Sequence, residues 1–467
     1  MKKKFLLISC MIAILCRGFS MELPAVFSDH MVLQRNTQVA VWGTSDYGEH
    51  ISVEGSWGDR ATTWASKTGH WLVRIQTPDA GGPYTLKING EHREVILEDI
   101  LIGEVWLCSG QSNMGWPVHK SQNPESEIRN ANYPNIRFFD VKNQFTLKPW
   151  NNCHGSWQVC TPQSTEYFSA AAYFFGREIN RELDIPVGLI HSSWGGTPVE
   201  SWTNDRFLKQ VTDYEPIDPM TKIGPRSPAV LYNGMIHPLI PYTLNGCIWY
   251  QGESNVNEEN HDQYRELFSA MISNWRSDWD LGNFPFYFVQ IAPFKYHEDK
   301  QSEVLREAQL KTLAVPNTGM AVTMDIGNPR DIHPKNKQEV GRRLARWALA
   351  KDYDRDLVYS GPLYKSIQVK GNKIYVYFRH TGSGLMTKDD QLKHFEVAGS
   401  DGIFVPAEGR IKNNHVVVRS PEVSNPKYVR YAWGNAIEAS LFNKEGLPAS
   451  PFNSQNWQTT GNRENGD

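Results

Sequence analysis

Apolar and polar positions along this chain fall into three successive rhythms. Between residues 21 and 98, short apolar or alternating runs at 39–42, 50–53, 71–76, 84–88 and 94–97 stand between Gly, Asp and Pro turns. That spacing predicts a small β-sandwich module. From residue 99 the rhythm changes. Strand-like runs at 100–108, 186–192, 246–250, 285–291 and 319–324 alternate with helical stretches at 169–183, 262–279, 302–315 and 336–351. Alternation of strand and helix predicts an α/β domain over 99–355, a parallel sheet with helices on both faces. Beyond 356 the strand rhythm returns at 366–369, 373–378, 394–397, 416–419 and 428–432, which predicts a C-terminal β-rich module over 356–467. There is no internal repeat and no linker-like stretch, so the modules are expected to dock tightly.

Residues 1–20 follow none of these rhythms. A basic start, Met1-Lys2-Lys3-Lys4, leads into an apolar run from Phe5 to Cys16 that is too short to span a bilayer. Gly18-Phe19-Ser20 places small residues where a signal peptidase reads, so cleavage after Ser20 and export to a bacterial periplasm or beyond are expected. Cys10 lies too early, inside the apolar run, for a lipoprotein site. No other stretch is long and apolar enough for a membrane span.

Composition narrows the function classes. A net charge of −3 with no long run of one sign gives no reason to expect nucleic acid. The 16 Trp, 19 Tyr and 20 Phe suit either a large core or sugar-facing surfaces. Export leaves Cys108, Cys153, Cys160 and Cys247 free to oxidise. Cys153 and Cys160 are close enough in sequence to close a small ring, whereas Cys108 and Cys247 read as buried small hydrophobes. No metal-binding motif is present, so no metal and no cofactor are expected.

Ligands of such sheets bind outside the carboxyl ends of the strands. Four segments fall just after predicted strands. Gly110-Gln111-Ser112-Asn113-Met114-Gly115 carries Ser112, which is either a nucleophile or the cap of a short helix. Asp331-Ile332-His333-Pro334 carries a base, His333, with Pro334 suited to opening the following helix. Asp331 or Asp325 is placed to hold the imidazole's other nitrogen, and a Ser–His pair helped by a backbone carbonyl is the third possibility. Gly195-Gly196 reads as a backbone oxyanion donor or a plain tight turn. Gln251 and Asn255 offer side-chain amides to the same oxyanion, and Glu253 reads as a loop-ordering group or a second carboxylate.

Taken together, Gly110-Gln111-Ser112-Asn113-Met114, Gly195-Gly196-Thr197, the run from Trp249 to Asn255 and Asp331-Ile332-His333-Pro334 resemble the successive blocks of the sialate O-acetylesterase family. That family belongs to the SGNH hydrolases. Phe27 to Arg35 also resembles the family's N-terminal module. The resemblance implies a flavodoxin-like three-layer α/β core with accessory β modules at both ends, and hydrolysis of acetyl esters on sialic acid. It assigns Ser112 as nucleophile and His333 as base, with Ser112, Gly195, Gln251 and Asn255 around the oxyanion. Many SGNH enzymes carry the orienting Asp three residues before the His, and here that position is Arg330. Arg330 and Arg226 are the cations considered for a sialate carboxylate. Acetylated xylan as substrate, or a non-catalytic carbohydrate-binding role, are the alternatives that the blocks leave open.

Overall fold

The apolar run at 100–108 is the second half of one long strand, β1 (Glu94–Gly110), in the computed structural model, which describes residues 21–257, 261–389 and 391–457. The expected leader at 1–20 lies outside the described residues. The first half of β1 pairs antiparallel with Gly81–Asn89, and the second half sits at the centre of the α/β sheet. Its burial follows that change of neighbours. Positions 94–99 are mixed, while positions 100–110 are buried without a break. A strand covered on both faces reads as a continuous apolar run for this reason.

The core sheet continues with β2 (Tyr133–Asp140), β3 (Trp157–Cys160), β4 (Val187–Ser193), β5 (Gly246–Tyr250), β6 (Phe286–Gln290) and β7 (Thr318–Val322), in the spatial order β7-β6-β5-β1-β4-β2-β3. All neighbours run parallel except β3, which returns antiparallel to β2. Five helices concern the site: α1 (Ser112–Gly115), α2 (Ala170–Leu183), α3 (Tyr264–Trp279), α4 (Ser302–Thr312) and α5 (Lys337–Lys351). Successive side chains of β1 and β5 point to opposite faces. Trp106, Cys108, Ile248 and Tyr250 pack with Phe174 and Phe175 of α2 and Leu344 and Trp347 of α5. Leu107, Cys247 and Trp249 pack with Phe268 and Trp275 of α3 and Leu305 of α4. The result is the expected three-layer α/β architecture. Full burial of each such side chain contributes about 1.5–3 kcal/mol.

Accessory strands flank the core on both sides. Before it, Val32–Gln34 pairs parallel with β1, and Gln38–Thr44 pairs with His70–Gln76 in a separate two-stranded sheet. After it, seven strands between Leu363 and Asn453 form a second sheet. That sheet is bolted to the core by Arg306 of α4. Its fully buried guanidinium donates to the carbonyls of Gly434 and Asn435 on one side and Ile291 and Ala292 on the other. Among the described residues, no helix is long and apolar enough to cross a membrane.

Two expectations need correction here. Cys153 and Cys160 are separate buried thiols. Cys153 packs in the cluster with Phe139 and Trp157, and Cys160 in the opposite one with Ile136 and Phe138, so the sheet separates them. Pro334 does not open α5. Asn336 caps that helix, accepting from the Glu339 N–H at 3.1 Å, and Pro334 stands before the cap.

The end of β1 leaves no room for a side chain. Gly110 has φ +141°, and a Cβ there would stand 2.1 Å from the Tyr250 carbonyl oxygen. Gly110→Ala therefore combines backbone strain with a clash between neighbouring strands. It is expected to destabilise the protein by about 2 kcal/mol or more, read as a lower urea midpoint.

Candidate active site

The sheet presents four loops at the carboxyl ends of β1, β4, β5 and β7, where strand order reverses around β1. Ser112 begins α1 directly after β1, with Gln111 in extended backbone as its N-cap. Its Oγ lies 2.9 Å from His333 Nε2, across 221 residues of sequence. The Asp331 Oδ1 accepts the His333 backbone N–H at 2.9 Å and stands 3.6 Å from His333 Nδ1. It thus shapes the base's loop and places negative charge beside the imidazole. The Trp116 indole stacks on the His333 ring at 4.4 Å and 14°. Burial, and next the Lys337 ammonium, hold the His333 pKa below its ordinary value, which keeps Nε2 available as a proton acceptor.

Asp325, the rival orienting carboxylate, is engaged elsewhere. It accepts from both terminal nitrogens of Arg343 at 2.6 and 2.8 Å, and both side chains are about 95% buried at 5% and 4% exposure. A carboxylate committed to a bidentate guanidinium pair is not the partner of His333, so that alternative is corrected.

The four expected oxyanion donors divide in the same way. Gly195 abuts the serine, because a Cβ added to it would meet Ser112 Cβ at 3.2 Å. Gln251 and Asn255 face away into the protein. Gln251 Nε2 donates to the Thr197 carbonyl at 3.1 Å and to Asn255 Oδ1 at 2.7 Å, while its Oε1 accepts from Tyr264 at 2.8 Å. Asn255 Nδ2 donates to Glu200 at 2.9 Å, and its Oδ1 also accepts the Val199 N–H at 3.0 Å. Fully buried amides must find protein partners, and these two find them in the segment after Gly195. They brace that loop rather than line the oxyanion position, which corrects the expectation for both.

Glu253 is fully buried and its Oε1 accepts from Asn113 Nδ2 at 2.5 Å, so it orders the loop. Burial pushes its pKa up. Of the two cations considered, Arg226 is exposed and its guanidinium donates to the Gly196 carbonyl beside Gly195. Arg330 is exposed on the His333 loop.

A second Ser–His–Asp array lies one strand away. His191 Nε2 meets Ser193 Oγ at 2.7 Å, and its Nδ1 meets Asp140 Oδ1 at 2.7 Å. Ser193 is only 8% exposed, and its Oγ lies within 2.9 Å of where a Cβ on Gly115 would stand. Ser112 is the better-exposed of the two serines and has a glycine backbone against it.

Sequence reasoning missed Trp116 and Lys337. Lys337 does carry a signal. It sits on the buried stripe of α5, three, seven and ten residues before Val340, Leu344 and Trp347. A lysine in an apolar stripe is out of place unless something polar receives it.

The model of the family "Carbohydrate esterase, sialic acid-specific acetylesterase" matches residues 102–350. The human sialate O-acetylesterase is 34% identical over 403 residues, covering 76% of this chain and 76% of that protein. The rat sialate O-acetylesterase is 31% identical over 423 residues, covering 75% and 77%. The crystal structure of a carbohydrate acetylesterase from Xanthomonas citri superposes with a TM-score of 0.88 at 39% identity, covering 94% of this chain and all of that one. With its three-layer α/β core and these relatives, the chain belongs to the family of sialic acid-specific carbohydrate acetylesterases.

Proposed function

We propose that this carbohydrate esterase is exported and removes O-acetyl groups from sialic acid through an acetyl-enzyme on Ser112. The single observation that carries the mechanism is the 2.9 Å contact between Ser112 Oγ and His333 Nε2. Ser112 Oγ attacks the acetyl carbonyl as Nε2 takes its proton. The negative charge that develops on the carbonyl oxygen is met by the backbone N–H groups of Ser112 and Gly195. The first N–H groups of a helix have no partner within it, so that of Ser112 is available. Collapse breaks the bond to the sugar oxygen, which leaves as a hydroxyl after receiving the proton from Nε2. Water then gives a proton to Nε2 and attacks the acetyl-enzyme. A second collapse returns the proton to Ser112 Oγ and releases acetate. The Asp331 carboxylate stabilises the imidazolium present between the two transfers.

An N-terminal module from residue 21 that shares β1 with an α/β domain ending at 355, a C-terminal module over 356–467 and export by way of residues 1–20 belong to the same reading, with the expected break at 98/99 replaced by that shared strand. Arg226, which donates to the Gly196 carbonyl, and Arg330, on the His333 loop, are the cations proposed for a sialate carboxylate.

Two measurements test this. A fluorophosphonate probe is expected to label Ser112 and not Ser193, as read by peptide mapping. Acetate release is expected to be faster from O-acetylated sialic acid than from acetylated xylan. Absence of labelling supports a sugar-binding role instead, and the reverse substrate order replaces sialate with xylan.

A further inference from the structure

A buried charged chain runs beneath the reacting pair. Lys337 Nζ, fully buried at the start of α5, donates to Asn113 Oδ1 at 2.5 Å and lies 5.1 Å over the Tyr250 ring. The same Asn113 amide donates through Nδ2 to Glu253 at 2.5 Å and to the Ile332 carbonyl at 3.0 Å. Asn113 follows the serine and Ile332 precedes the histidine. One amide therefore ties the nucleophile's turn to the base's loop. The cation on one side and the two acceptors on the other allow it a single orientation.

We propose that Lys337 is a positioning residue for the esterase. It acts through Asn113 to hold Ser112 against His333, and its ammonium sets the pH at which His333 becomes the free base. The inference rests on Ser112 and His333 being the reacting pair.

The groups facing His333 are few. Ser112 and Trp116 come from the α1 turn, Asp331 from its own loop, Lys337 from α5, and Lys120 from beyond Trp116, where its ammonium stands 5.5 Å from the indole. Lys337 and Lys120 oppose protonation of the imidazole and Asp331 favours it. Burial lowers the Lys337 pKa to about 7, against Glu253 and Asp331, which favour its charged form, so the ammonium is present through the acid limb of His333. A hydrogen bond to a side-chain oxygen, an aromatic face and a nearby carboxylate are what a buried ammonium needs to stay in place.

The sign of the effect follows. Loss of the ammonium makes the imidazolium easier to form, so the acid limb of the rate profile moves to higher pH. A brace with no electrostatic part lowers the rate and leaves the limb where it was.

The test uses the protein from residue 21 onward and reads the fluorophosphonate labelling rate of Ser112 against pH. Lys337→Gln keeps a donor for Asn113 without the charge. Its acid limb is expected to rise by about half a unit or more, with less than about a threefold loss on the plateau. Lys337→Met loses donor and charge, so the limb rises and the plateau falls by about tenfold. A melting curve identifies a variant that does not fold, and Lys337→Gln then carries the comparison. A folded Lys337→Gln whose profile overlays the wild type overturns the proposal. A wild-type protein that is not labelled at Ser112 overturns the esterase mechanism instead, so the two failures are distinct.

Discussion

Ser112→Ala is expected to lower acetate release from an O-acetylated sugar by about 10⁶-fold while the protein stays folded. On the proposed mechanism, the substitution removes the atom that forms the acyl bond and leaves the two proposed oxyanion N–H groups where they were. The residual rate reflects those N–H groups and substrate positioning alone. Stability changes little, because Ser112 is partly exposed and, among the described residues, its hydroxyl is held by His333 alone. Ser193→Ala is the informative control. Ser193 has the shorter contact to a histidine, 2.7 Å, yet it is buried. Its removal leaves His191 Nε2 without that partner and costs about 1 kcal/mol of stability, with less than about a tenfold change in rate. A pH-stat assay of both variants decides between the serines. Loss of activity in Ser193→Ala with retention in Ser112→Ala reverses the assignment.

Asp325→Ala is expected to cost about 2–4 kcal/mol of folding stability, because it takes the bidentate carboxylate from a buried Arg343 guanidinium. Arg343 keeps the Val322 carbonyl at 2.7 Å and an ion pair to Glu339 at 3.2 Å, but that carboxylate is 29% exposed and offsets only part of the loss. Asp331→Ala is the opposite case. Its carboxylate is 40% exposed, so stability changes little and the loss falls on kcat. Asp331→Asn separates its two tasks. The amide oxygen still accepts the His333 N–H, but the charge beside the imidazolium is gone. Urea midpoints and kcat measured together give the split. A folded Asp325→Ala protein with kcat lowered as much as in Asp331→Ala identifies Asp325 as the orienting group after all.

The sequence made the core legible wherever one strand or helix face dominates its own burial. Helices expected at 169–183 and 336–351 end within a residue of α2 and α5, because caps at Ser169 and Asn336 and strong apolar stripes mark them. The strand Val405–Lys412 escaped notice. It alternates half-buried and exposed positions, carries Pro406 and Gly409, and draws its order from pairing with Phe395–Ala398 and His415–Arg419 rather than from apolar content. Strands β2 and β3 were likewise missed, since β2 mixes Arg137 and Asp140 with apolar residues and β3 is a four-residue edge strand. At the site, the convergence of Ser112, Gly195 and His333 was readable because each follows a strand end. Gln251 and Asn255 were read at the right place with the wrong direction, since sequence does not say which way an amide points. Asp325 and Asp331 were indistinguishable until Arg343, eighteen residues beyond Asp325, claimed the first.

β1 carries a further consequence for how this protein was assembled in evolution. The strand that begins in the accessory sheet at Glu94 ends at Gly110, two residues before the serine. No cut between accessory sheet and core spares the backbone that aims the nucleophile. A module joined by a hinge can be lost, swapped or duplicated among lineages without touching the chemistry. One joined by a shared strand is inherited with the site, and the two must vary together.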